Sequence, residues 1–126
     1  MFLGRVAGTV WSTVKWPQAV GIKLLLVRPY RLGDLFSAEP SKGSAPAAPS
    51  AGGQSSPWLD AIASEPVDDL VVCADTLDAG PGDDVIVAFG HAARVAVSEK
   101  LAPGSKPMVP IDAAVVAVVD RVEIPR

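Results

Sequence analysis

Residues 2–14 alternate so regularly that they favour an extended strand over a helix. The even positions read Phe2, Gly4, Val6, Gly8, Val10, Ser12, Val14, and the odd ones Leu3, Arg5, Ala7, Thr9, Trp11, Thr13. A period of two belongs to a strand with one face buried, which puts Phe2, Val6, Val10 and Val14 on one side. Gly4 and Gly8 fall on that same side. Glycine inside a strand marks a bulge, a bend or a close approach of backbone, and a small barrel needs such bends to close. The Gly4-x-x-x-Gly8 spacing also occurs in paired membrane helices, but the period here is wrong and the segment too short.

The rest of the chain repeats the pattern in shorter pieces. Lys15-Trp16-Pro17-Gln18 reads as a turn, and Ile22 to Val27 as an apolar strand that Pro29 ends or places at an edge. Arg31-Leu32-Gly33-Asp34 reads as another turn. Strands are expected at Leu70–Ala74, Val85–Phe89 and Ala113–Val122. Asp78 to Asp83 is a turn whose two glycines are free to adopt positive φ. Gly90-His91-Ala92-Ala93-Arg94 opens a short helix or a tight loop, and the three prolines between Leu101 and Pro110 predict irregular chain. Five or so short strands with one or two helical turns make a mainly β barrel or sandwich.

Residues 37–57 contain little besides Ser, Ala, Pro and Gly. Such a stretch cannot bury enough apolar surface to offset its ordering entropy, so it is expected to be a long flexible insertion within a single domain spanning 1–126. Ser56-Pro57-Trp58-Leu59-Asp60-Ala61-Ile62 then predicts a short helix, capped by Ser56 with Pro57 in its first turn. It either packs back on its own domain or acts as a docking peptide on a tether.

Several function classes are disfavoured at this stage. The net charge of −3 argues against a nucleic-acid phosphate backbone as partner. The longest fully apolar run, Ala113 to Val119, is far short of the roughly 20 residues that span a bilayer. Met1 to Arg5 lacks the basic start and long apolar stretch of a signal peptide. A cytoplasmic protein is expected. Hydrophobic residues make up 49% of the chain, which in so small a domain points to apolar surface buried against other subunits. His91 is the only histidine and Cys73 the only cysteine. A three-histidine zinc site is therefore impossible, and a Ser-His-Asp triad would have to use His91. Gly80-Pro81-Gly82-Asp83 lacks the Lys-Ser/Thr of a phosphate-binding loop. The carboxylates Asp68, Asp69, Asp75, Asp78, Asp83 and Asp84 lie beside turns and read as a solvated rim. Cys73, on an apolar strand, reads as a buried inert thiol. No catalytic, cofactor-binding or metal-binding residue is expected.

Three blocks, in order and spacing, resemble the EutN/CcmL family of bacterial microcompartment vertex proteins. They are Leu3-Gly4-Arg5-Val6-Ala7-Gly8-Thr9-Val10, then Lys15-Trp16-Pro17 with Gly21-Ile22-Lys23-Leu24-Leu25-Leu26-Val27, then Pro110-Ile111-Asp112 running through Val119-Asp120. The turn Gly80 to Asp83 and the loop Gly90 to Arg94 fall in the matching places between them. The similarity covers roughly Met1–Leu35 and Val67–Glu123. It implies a five-stranded OB-like β-barrel and a structural role: a homopentamer at the five-fold vertices of a shell, with hexameric shell proteins as neighbours and no reaction of its own. The insertion over residues 37–66 becomes a candidate cargo contact. Family likeness places Gly90, His91, Ala92 and Arg94 at the subunit interface or near the central opening, and Lys15 and Lys23 at subunit or tile contacts. Two departures stand out. The family has a short connection where this chain carries Phe36 to Pro66, and His91-Ala92 replaces the usual pair of serines. Five His91 side chains around an opening would make it pH-sensitive; a plain polar loop residue is the other reading. Arg94 either bridges subunits through its planar fork or is an exposed surface residue. The competing function is an OB-like binding module for single-stranded nucleic acid or a small ligand, outside any shell.

Overall fold

The alternation expected through Val14 stops at Val10 and changes face before it gets there. In the computed structural model, which describes residues 1–31, 70–101 and 109–125, strand β1 spans Phe2–Val10. It pairs antiparallel with β2, Lys23–Pro29, in a register that slips between Val6 and Gly8. Val6 lies opposite Val27, but Thr9 lies opposite Leu25. Val27 and Leu25 both face the barrel interior and are fully buried. Three residues of β1 thus span two of β2, the signature of a bulge, and a bulge turns every later side chain over. Val10 therefore sits opposite Leu24 on the outer surface, and Val14, beyond the strand, is 91% exposed. The single apolar face predicted for Phe2, Val6, Val10 and Val14 holds only as far as Val6.

Strands β3 (Val71–Asp75), β4 (Asp84–Phe89) and β5 (Ala113–Val119) complete a closed barrel in the order β1-β2-β3-β5-β4. The last strand ends three residues before the expected Val122, and β2 runs on to Pro29, which ends it as anticipated. Of the short helix or tight loop expected to open at Gly90, the chain forms the helix, α1, Gly90–Leu101, 12 residues long. The turn expected at Lys15 to Gln18 includes a short 3-10 helix, Pro17–Ala19. The expected insertion at 37–57, the helix over Ser56–Ile62, the turn beyond Arg31 and residues 102–108 lie outside the described residues.

The barrel interior is filled by Val6, Leu25, Val27, Cys73, Val85, Val87 and Val115, with Phe2 and Val71 packed against this group. A second apolar layer lies outside the barrel, where Ala93 and Val97 of α1 meet Ala74, Ala114 and Ile22. The placement of the helix follows from the sheet. β3 and β5 run parallel and share one register pair, Ala74 with Ala114, so this is the weakest seam of the barrel. Alanines on β5 and α1 let the helix lie close over β5, beside that seam, with Ala74 of β3 in the same apolar layer.

Between β3 and β4 the chain turns through Gly82 at φ +94 and Asp78 at φ 63. Only one of the two expected glycines takes positive φ; an aspartate takes the other left-handed position, which Asp tolerates better than most residues.

Candidate functional site

The residues singled out for assembly fall at two ends of the barrel. β1 and β5 run one way and β2 and β4 the other. The β1–β2 connection, with Lys15 and Lys23, therefore lies at the end where β1 finishes. The start of α1, with Gly90, His91, Ala92 and Arg94, lies at the end where β1 begins. Gly90 has φ +62, which frees the chain to leave β4 and enter α1 directly, and its N–H donates to the Asp112 carbonyl at 2.8 Å. Ala93 then anchors the helix in the outer apolar layer with no exposed surface, while His91, Ala92 and Arg94 project outward. Phe89, just before Gly90, stacks on Phe2 with ring centroids 5.3 Å apart and remains half exposed.

Lys23 is engaged within its own subunit. Its ammonium reaches the Asp75 carboxylate at 3.4 Å and Asp78 at 3.4 Å, and it donates to the Ala79 carbonyl. Asp75 is not part of a solvated rim. Its side chain has no exposed surface, and its two oxygens accept from the backbone N–H of Leu77 at 3.0 Å and of Ala79 at 2.9 Å. The turn after β3 closes over the carboxylate and shields it. Lys15 stays exposed in the β1–β2 connection.

A second polar cluster, which sequence reasoning missed, ties three strands together on the outer surface. Arg5 of β1 donates through Nε to Asp84 Oδ1 at 2.9 Å and through Nη2 to Oδ2 at 3.3 Å. The Tyr30 hydroxyl, just past β2, donates to the same Asp84 at 2.5 Å, and the Arg5 guanidinium lies 5.8 Å from the Tyr30 ring centroid. Partial burial pushes the Asp84 carboxyl up, but the hydrogen bonds from Arg5 and Tyr30 and the Arg5 charge outweigh it, so the group titrates below the usual carboxylate range. Burial, followed by its bond to Asp84, raises the Tyr30 hydroxyl.

The sign of the resulting pH dependence is fixed. A carboxyl held lower in the folded state contributes stability above its unfolded pKa of about 3.9 and loses it as pH falls through the folded value. Removing the carboxylate should therefore flatten the acid limb of the stability curve. We expect urea midpoints of Asp84→Asn to fall less than those of the parent between pH 5 and pH 3. An identical acid limb would mean that Asp84 carries no such linkage.

Burial pushes the Cys73 thiol up to about 12, so its thiolate is scarcely populated near neutrality. Among the described residues no group of three or more His, Cys, Asp or Glu side chains could hold a metal ion. No described helix is long and apolar enough to cross a membrane.

A run of exposed apolar side chains on the β1–β2 connection went unanticipated because Trp11 and Val14 read as strand residues. Trp11 is 90% exposed, Val14 91%, Trp16 68% and Val20 66%, all on the connection between β1 and β2.

Comparison with known proteins gives one answer. The family described as "Ethanolamine utilisation protein EutN/carboxysome" matches residues 1–120. The microcompartment shell vertex protein PduN of Salmonella typhimurium is 35% identical over 120 residues, covering 95% of this chain and 96% of its own. The carboxysome shell vertex protein CcmL of Gloeobacter violaceus is 31% identical over 125 residues, covering 98% and 87%. Among solved structures, GrpN, a pentameric microcompartment shell protein from Rhodospirillum rubrum, superposes with a TM-score of 0.59 at 30% identity and full coverage of both chains.

Proposed function

The chain belongs to the EutN/CcmL family, and we propose that it is a vertex subunit of a bacterial microcompartment shell, five copies of which close into a ring. The observation that carries this reading is agreement along the whole chain. The family match runs from the first strand of the barrel to the last, and relatives that match almost end to end are vertex proteins. The physical logic is closure. Hexagonal tiles alone make a flat sheet, and pentagons inserted among them bend it shut. A head-to-tail contact repeated around a five-fold axis makes such a pentagon from a single chain.

The finer reading has four parts. Residues 1–126 form one domain, with a low-complexity insertion at 37–57 and the segment 37–66 available to cargo. The ring sits among hexameric shell proteins in the cytoplasm. The subunit performs no reaction. Gly90, His91, Ala92 and Arg94 at the start of α1 lie at the subunit contact or the central opening, and Lys15 and Lys23 lie at contacts on the other end of the barrel. Exposure of His91, Ala92 and Arg94 on the first turn of α1 supports this reading. The OB-like binding module is the weaker alternative, since the matched relatives are shell components.

The test is the native mass of the purified chain. A single species of about 65 kDa, five times the 13.0 kDa subunit, is the expected result, and a monomer at all concentrations would overturn the ring. Arg94→Glu, measured alongside, should shift the species toward smaller mass. An unchanged pentamer would remove Arg94 from the contact.

A further inference from the structure

We draw no further inference here: the strongest candidate, the run of exposed apolar side chains Trp11, Val14, Trp16 and Val20 on the β1–β2 connection, is an unpartnered surface, and nothing in the structure shows what covers it.

Discussion

Replacing Gly4 with alanine is expected to lower the melting temperature of the barrel by roughly 15 °C, the counterpart of about 3 kcal/mol in a domain of this size. A Cβ at position 4 would stand 2.6 Å from the Arg28 carbonyl oxygen and 2.9 Å from Cγ1 of Val27. The first of these is backbone, and that backbone is held in the β1–β2 ladder, where Arg5 lies opposite Arg28 and Gly4 opposite Pro29. Nothing flexible is available to move aside. Gly4 also lies opposite Val85 of β4, so the close approach falls where β1 is paired on both sides. Gly8 is the internal control, because a Cβ there meets nothing within 4 Å. Gly8→Ala should therefore melt within a few degrees of the parent. Thermal unfolding followed by far-UV circular dichroism reads both. Equal melting temperatures for the two variants would show that the close approach at Gly4 relaxes freely.

The two glycines show what the sequence could and could not reveal. Both stood out as breaks in a strand pattern, and a close backbone approach at Gly4 and a bulge beside Gly8 are indeed present. Which glycine does which depends on the partner strand, because a bulge is defined by residues on β2 that sequence spacing cannot register. Strands β2 to β5 were legible because each carries a run of apolar residues bounded by turn residues, and β1 because its apolar residues alternate. Most of α1 was not. Its buried side is made of Ala93, Val97 and Ser98, and so small and mixed a face gives little helical periodicity. The assembly residues were named from family likeness, and only the fold could separate them into two ends of the barrel. The tryptophan loop was hidden for a simpler reason. Alternation continued past Val10 in the sequence, while the strand itself stopped.

Asp75 is the other position where a single change should cost most, since the sequence places it among turn carboxylates and the structure seals it inside one. Replacing it with alanine is expected to destabilise the chain by about 3 kcal/mol. The Ala79 N–H would lose its acceptor, and Ala79 is fully buried, so water cannot readily take over. The Leu77 N–H would suffer less, because Leu77 is partly exposed. Lys23 would keep Asp78 and the Ala79 carbonyl, and with its side chain 35% exposed it would recover solvent. Most of the loss should therefore come from the backbone of the turn and not from the ion pair. That division can be measured. Lys23→Met should cost about 1 kcal/mol or less, as expected for a partly exposed pair, while Asp75→Ala costs several times more. Urea unfolding of both single variants and the double variant gives the coupling between them. If Lys23→Met destabilises the barrel as much as Asp75→Ala, the ion pair and not the turn holds this end together. If Lys23→Met instead leaves unfolding unchanged but lowers the native mass, the ammonium acts chiefly across a subunit boundary. Its bonds within the subunit would then serve to aim it there.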